Sequence, residues 1–361
     1  MTTRTHAASA GDPLERSADR AFRLPVPALL GSLALLLLAC LLSATQGAAG
    51  LPVGGVIRSL LDAVPLIEVD RTLSSQHEAV LWQIRLPRTV LAALVGASLA
   101  VAGAGYQGVF RNPLADPYLL GVSAGAGLGA VLALGFGLNL ALGPVAALPM
   151  AAFVGALLAV TGSVLVARGS FRNPATLLLA GVAMAALFSA AQTFALQRLD
   201  QTRAREVLSW LFGRLAADGW HPVLLLLPYV LVAGLVLLLH ARHLDVLRLG
   251  DDEARALGLK PARSRLLVVT AATLITAAAV SVSGLIAFVG LVTPHIVRVL
   301  VGHSYRAIVP LSAVVGGGFL ALVDIGARTL TAPAELPVGV ITAFVGAPFF
   351  CVILWRRRHD A

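Results

Sequence analysis

The chain has 361 residues, of which 58% are hydrophobic and only 12% are charged, and its mean hydropathy is +0.88. An ordinary soluble domain carries roughly 25% charged residues, so this chain has too little polar surface to remain dissolved in water. The net charge is +9, but the basic residues are almost all arginines scattered at the ends of apolar segments. That pattern is typical of membrane topology and argues against a nucleic-acid partner.

Ten apolar segments follow one another, each a candidate helix across about 30 Å of hydrocarbon. In chain order they cover residues 24–46, 86–108, 114–135, 144–167, 175–197, 221–241, 264–284, 285–302, 307–329 and 337–355. The segment 285–302 is the shortest, and Gly290 and Pro294 interrupt it. Because lipid leaves backbone polar groups no partners outside the chain, we predict an all-α fold, a polytopic membrane bundle of about ten transmembrane helices.

The domain organisation is simple. Residues 1–23 form a polar tail, residues 24–355 a single transmembrane domain and residues 356–361 a basic closing tail. The segment 24–46 follows three arginines, as a signal peptide would, but it is longer than a signal peptide's apolar core and has no clear cleavage site. We interpret it as the first spanning helix.

Arginine bias predicts the orientation. With a cytoplasmic N-terminus, two thirds of the 27 Lys and Arg residues lie in cytoplasmic segments. The positive-inside rule then predicts a lipid-embedded protein with both termini in the cytoplasm. On this topology residues 47–85 lie on the outer side of the membrane, where residues 53–61 are a candidate for a short helix on the membrane surface. Cys40 and Cys351 lie in apolar segments near opposite chain ends, so we interpret them as packing residues and predict no metal site.

Three stretches carry more information than apolar periodicity. The first contains Arg85-Leu86-Pro87-Arg88 and the small-residue-rich run RNPLADPYLLGVSAGAG at 111–127. The third contains GLIAFVGLVTPHIVR at 284–298, DIGAR at 324–328 and ELPVG at 335–339. Small residues at this density allow membrane helices to pack closely. His295 lies one helical turn from Arg298, and we interpret it as a structural residue, not a ligand or a proton carrier.

The second stretch lies between the sixth and seventh segments, within a region of about 244–260. It consists of Leu249, Gly250, Asp251, Asp252, Glu253, Ala254, Arg255, Ala256, Leu257, Gly258 and Leu259. Glycines near both ends suit the termini of a short cytoplasmic helix or helix pair. The apolar residues, together with Leu247, predict one face that docks a partner, because a solvated connector has no need of such a face.

Two other classes of protein fit the sequence less well. An ion-coupled secondary transporter needs ionisable groups at the membrane centre, whereas the sequence offers only the peripheral candidates Asp116, Asp324 and Glu335. A membrane enzyme needs a convergent catalytic set, and none is evident, so we predict no catalytic residue. The sequence also has no Gly-x-x-x-x-Gly-Lys-Ser/Thr phosphate loop, so any ATP hydrolysis requires another chain.

From about residue 80 to the C-terminus, these stretches closely resemble the FecCD-type permeases of type II ABC importers, which carry iron chelates, haem or vitamin B12. Trp82 to Arg88 is particularly similar to the vitamin B12 permease. The resemblance implies the type II importer fold, a homodimer with the path at its interface, two cytoplasmic ATPase subunits and a substrate-binding protein. ATP and Mg²⁺ are implied on the ATPase, with no cofactor on this chain.

The resemblance also implies residue roles. Residues 249–259 match the helices that couple to the ATPase, and Arg85 and Arg328 match arginines that dock the binding protein on the outer face. The alternative for these arginines is a contact with lipid headgroups. Asn173, Pro174 and Ala175 match the cytoplasmic gate loop but lack the hydroxyl-rich pattern of the vitamin B12 permease. We expect an iron chelate, first a ferric siderophore, with haem and cobalamin as alternatives.

Overall fold

The computed structural model describes residues 26–47, 50–65, 67, 69–70, 72–143, 145–168, 171, 174–215 and 219–357, and the described residues form fourteen helices. They are α1 (Val26–Thr45), α2 (Val53–Asp62), α3 (Ser75–Phe110), α4 (Val122–Gly135), α5 (Ala147–Val166), α6 (Pro174–Leu196), α7 (Gln201–Leu211), α8 (His221–Leu239), α9 (Ala241–Leu247), α10 (Asp251–Ala256), α11 (Pro261–Ser283), α12 (Val289–Val301), α13 (Tyr305–Thr329) and α14 (Val338–Arg357).

Ten of these helices overlap the ten predicted segments. Seven are long and apolar enough to cross a membrane, namely α1, α3, α5, α6, α8, α11 and α13, and α4, α12 and α14 are shorter apolar helices. The all-α prediction is therefore confirmed. Helix α2 also forms where a short outer helix is expected, and its prominent apolar side contributes Val56 to a small core beneath it.

Helices α3, α11 and α13 form the core of the bundle, and most of their apolar length is buried, whereas α1 and α6 are largely exposed. Small residues permit the close approach of these helices. The backbone of α3 at Gly103 contacts the carbonyl of Gly290 in α12, and Gly125 in α4 contacts Gly155 in α5 in the same way. A Cβ atom at any of these glycines would collide with the neighbouring backbone, which explains the glycine-rich helices of the sequence.

The third predicted segment begins eight residues too early. The chain from Arg111 to Gly121 forms turns, and α4 begins only at Val122. Side chains stabilise the turns, since the amide N–H of Leu114 donates to Asn112 Oδ1 at 2.9 Å and that of Tyr118 to Asp116 Oδ1 at 2.8 Å. Asn and Asp before proline favour such turns over helix, a local signal that apolar composition obscured.

The eighth predicted segment is broken at a different place. Gly290 and Pro294 lie inside α12, and the non-helical part is 284–288, where Phe288 has a φ of 68°. Protein groups satisfy this backbone, because the Tyr118 hydroxyl donates to the Ile286 carbonyl at 3.0 Å and accepts from the Ile286 amide at 3.2 Å. Irregular backbone is tolerated at membrane depth when it is enclosed in this way.

Helix α7 has no counterpart among the predicted segments. The carboxylate of Asp200 accepts hydrogen bonds from the amides of Thr202 and Arg203, both at 3.0 Å, and so caps its N-terminus. Val207 and Trp210 bury one face of this otherwise polar helix. A search for long apolar runs cannot find such a helix, although Asp200 is a residue type that favours the N-cap position.

Candidate functional site

A groove runs along the surface between α7, the 284–288 segment and α14. Its volume is about 610 Å³. The lining side chains are apolar, and Phe344 at its edge is 77% exposed. The groove is lined by Leu211, Phe212, Leu285, Ala287, Gly339, Val340, Ala343, Phe344, Ala347 and Pro348.

Backbone contacts fix the geometry of this groove. The amide of Val338 at the start of α14 donates to the Gly213 carbonyl at 3.0 Å, and the amide of Arg214 donates to the Ser283 carbonyl at 2.8 Å. Gly339 lies against the carbonyls of Phe212 and Leu285, where no Cβ atom would fit. The ends of α7, α11 and α14 are therefore joined directly through main-chain atoms.

At the opposite end of the bundle from the α2 segment, α9 is fixed to the beginning of α13. Asp245 accepts hydrogen bonds from the Tyr305 amide at 2.6 Å and from the Ser304 hydroxyl at 2.9 Å. Arg248 donates to the His303 carbonyl at 2.6 Å. Leu244 and Leu247 of α9 are fully buried against the bundle. This helix is thus a rigid part of the bundle.

The carboxylate of Asp251 attaches helix α10 to the bundle. It forms an ion pair with Arg265 of α11 at 2.5 Å and a second with Arg111 at the end of α3. Hydrogen bonds from Arg265, supported by the positive charges of both arginines, lower the pKa of Asp251 against the opposing effect of burial. Arg265 also donates to the Phe171 carbonyl at 3.0 Å. The short helix is therefore connected to the chain just before α6.

The apolar face predicted for residues 249–259 divides into two parts. Leu247 and Ala254 are completely buried and attach the segment to the bundle, whereas Leu249 is 64% and Leu257 66% exposed. Part of the predicted apolar face is therefore turned toward the bundle, and docking of a partner by the rest stays a prediction. The two exposed leucines remain as an apolar patch on a charged surface, which suits contact with another protein.

A buried charge cluster lies at the other end of α3 and α13. Arg88 contacts Asp324 at 2.9 Å and Glu335 at 2.9 Å, and Arg328 contacts Asp324 at 3.0 Å. Asp324 is completely buried, whereas the Glu335 side chain is 53% exposed. Arg88 and the two carboxylates join α3, α13 and the segment that enters α14. Paired in this way, Asp324 and Glu335 are structural ions of the bundle.

Arg85 and Arg328 are both largely buried in this subunit, with 8% and 7% of their surfaces exposed. Both donate to the Gln46 carbonyl, at 2.7 Å and 2.8 Å, and Arg328 also donates to the Ser43 hydroxyl at 2.9 Å. The two arginines to which the family resemblance assigns a docking role thus lie close together in the structure. Their contacts hold the end of α1, and they do not project as free charges.

The predicted gate residues are only partly described. Asn173 lies outside the described residues, and Pro174 and Ala175 begin α6. His295 packs its ring against Phe349 with centroids 6.3 Å apart, in agreement with a packing interpretation. Asp116 accepts from the amide of Tyr118 and so stabilises its own turn.

The described residues form a polytopic helical membrane protein: a bundle of ten apolar helices, a surface groove beside the non-helical segment 284–288, and short charged helices at one end. The chain belongs to the FecCD transport family, whose family model matches residues 35–356. It is therefore a transport permease subunit of an ABC importer.

Several known proteins are similar to this chain. The cobalamin import system permease protein BtuC of Halobacterium salinarum is 44% identical over 285 residues, covering 79% of this chain and 75% of the relative. The hemin transport system permease protein HmuU of Yersinia pestis is 40% identical over 300 residues, covering 80% and 89%. The iron(3+)-hydroxamate import system permease protein FhuB of Bacillus subtilis is 39% identical over 336 residues, covering 92% and 83%.

A solved structure shares the fold. It is an inward-facing conformation of a metal-chelate type ABC transporter, with a TM-score of 0.77 and 33% identity, covering 91% of this chain and 98% of that one. The type II importer permease fold predicted from the motifs is thereby confirmed.

Proposed function

We propose that this permease carries an iron chelate, first of all a ferric siderophore, from a binding protein into the cytoplasm. The observation that carries this proposal is the apolar groove of about 610 Å³ beside α14, which has no charged side chain among its lining residues. A large chelate of variable shape can pass along such a surface without specific polar contacts. The names of the similar proteins support this class of cargo, with haem and cobalamin as alternatives.

In this proposal two copies of the chain lie in the cytoplasmic membrane, with both termini in the cytoplasm and the two grooves facing each other. Two ATPase subunits bind ATP and Mg²⁺ and dock on α9 and α10, mainly through the exposed Leu249 and Leu257. The binding protein docks at the end that carries Arg85 and Arg328. Pro174 and Ala175, at the start of α6, belong to the cytoplasmic gate together with Asn173.

The direct test is uptake by the reconstituted complex. The permease, its ATPase and its binding protein are assembled in proteoliposomes, and uptake of a ferric hydroxamate, haem and cobalamin is measured with and without internal ATP. We expect ATP-dependent uptake of the ferric hydroxamate, and an ATPase that cannot hydrolyse ATP is the control. Uptake driven by an ion gradient without ATPase would contradict the importer mechanism, and ATP-driven uptake of cobalamin alone would contradict the choice of cargo.

A further inference from the structure

A second cavity lies away from the groove, at the end of the bundle that carries α9 and α10. Its volume is about 270 Å³, and it lies between the end of α3, the end of α12 and the start of α13. Three of the described lining residues are arginines and none is a carboxylate. The polar lining residues are Gln107, Arg111, Arg248, Arg298, His303 and Tyr305. The proposed transport path uses none of them.

Buried neutral groups hold Arg298 in one orientation. Its Nη2 donates to Gln107 Oε1 at 2.9 Å and lies 3.4 Å from the Tyr305 hydroxyl, and the guanidinium lies 5.9 Å from the centre of the Tyr305 ring. Gln107 and Tyr305 are 1% and 4% exposed. Gln107 is itself oriented, because its Nε2 donates to the Leu291 carbonyl at 3.3 Å. Such an arrangement positions a cation without neutralising it.

The charges around the cavity do not balance. Arg111 is paired with Asp251, and Arg248 donates to a backbone carbonyl. Asp245, another nearby carboxylate, accepts from Ser304 and Tyr305. Nη1 of Arg298 has no acceptor among the described residues. A largely enclosed guanidinium with only neutral partners is costly unless an anion accompanies it.

The arrangement of the three arginines favours a phosphate group as that anion. Guanidinium groups bind phosphate through parallel charge-assisted hydrogen bonds, and several arginines around one cavity suit its multiple oxygens. Simple lipid-facing anchors extend separately toward the headgroups, whereas Arg111, Arg248 and Arg298 come from three different segments and converge. Basic cavities between the ends of spanning helices are also where the headgroups of anionic phospholipids bind.

We propose that Arg298, with Arg111 and Arg248, forms a binding site for a phosphate group, supplied by an anionic phospholipid headgroup or by a soluble phosphate. Gln107 and Tyr305 are the residues that position Arg298. The site is independent of the identity of the transported chelate.

The test uses the full-length chain purified in neutral detergent and stripped of lipid. Phosphatidylglycerol, phosphatidylcholine and inorganic phosphate are added separately, and binding is followed by native mass spectrometry and by the shift of thermal unfolding. For the Arg298→Gln variant we expect an apparent affinity lower by roughly tenfold to a hundredfold, the usual effect of losing a hydrogen bond to a charged group. Arg263→Gln is the matched control, since Arg263 is an exposed arginine at the same end of the bundle that does not line the cavity.

Arg248→Gln serves as a second variant, because Arg248 is exposed and its loss leaves the buried Gln107 and Tyr305 contacts intact. Retention of phosphatidylglycerol that inorganic phosphate does not displace identifies a lipid headgroup. Stabilisation by inorganic phosphate, with competition against the lipid, identifies a soluble phosphate. Equal affinity of the wild type, Arg248→Gln and Arg298→Gln for both anions, or equal binding of phosphatidylcholine, overturns the proposal.

Discussion

Among individual residues, Arg85 and Arg328 hold the bundle together, and each is also proposed to dock a partner. Arg328 contacts a completely buried carboxylate, Asp324, and both arginines donate to the Gln46 carbonyl. A docking effect at either position must therefore be measured apart from an effect on stability.

At Arg328 we expect charge reversal to destabilise the fold itself. Arg328→Glu places a second carboxylate beside Asp324, and breaking a buried ion pair costs roughly 3–5 kcal/mol. Arg85→Glu removes the hydrogen bond to the Gln46 carbonyl and should also weaken binding of the binding protein, most strongly at low salt. Thermal unfolding and binding titrations at several salt concentrations measure the two effects. If Arg85→Glu binds with wild-type affinity and salt dependence, Arg85 has no docking role.

Asp251 makes a pH-dependent contribution to the free energy of unfolding. Its pKa is held below the ordinary value by Arg265 and Arg111, so its stabilising effect is complete above the ordinary Asp pKa of about 4 and is lost as the pH falls through the lowered folded-state pKa. We expect Asp251→Asn to lower stability at neutral pH by about 1 kcal/mol, the scale of a partly exposed ion pair. Thermal unfolding from pH 7 down to about 3 should show the difference shrinking in acid.

Asp252→Asn is the matched control, since the side chain of Asp252 is 92% exposed. A difference between Asp251→Asn and wild type that persists undiminished in acid would show that the effect is steric and not electrostatic.

At the scale of elements, buried residues attach the short helices α9 and α10 to the bundle, and the exposed Leu249 and Leu257 lie beside them. Leu257 is the informative position, because Gly250 has a φ of 142° and any side chain there strains the backbone regardless of docking. We expect Leu257→Glu to weaken ATPase binding roughly tenfold to a hundredfold, the equivalent of losing one buried leucine contact. Co-purification and ATP-dependent uptake measure the effect, with Arg263→Gln as a control of equal charge change. Normal assembly and coupling in Leu257→Glu would place the docking surface elsewhere.

For the whole molecule, the open groove and exposed Phe344 predict a symmetric contact between two copies along α14. In a chain with Cys40 and Cys351 replaced by serine, Phe344→Cys should give a cross-linked dimer with a short bismaleimide in membranes. Leu231→Cys on α8, which is also strongly exposed but does not line the groove, is the control. Efficient cross-linking at Leu231 and none at Phe344 would place the dimer contact on a different face.

The helices themselves follow almost entirely from the sequence, because in lipid an apolar run of sufficient length has no alternative to forming a helix. The ten segments, the short α2 and the family motifs were all recognisable without coordinates. The late start of α4 and the amphipathic α7 were not recognised, because the apolar search gave no weight to Asx turns and to the Asp200 cap.

Tertiary structure alone decided which of the polar residues meet. No periodicity indicates that Asp251 binds Arg111 and Arg265, that Arg88 serves both Asp324 and Glu335, or that Gln107 orients Arg298. These partners are separated by up to 247 residues. The sequence by itself determined the class of protein, because the apolar segments and the family motifs are formed by residues that are neighbours along the chain. The groove, the divided leucine face and the basic cavity were decided by packing, because only the folded bundle brings distant side chains within contact distance.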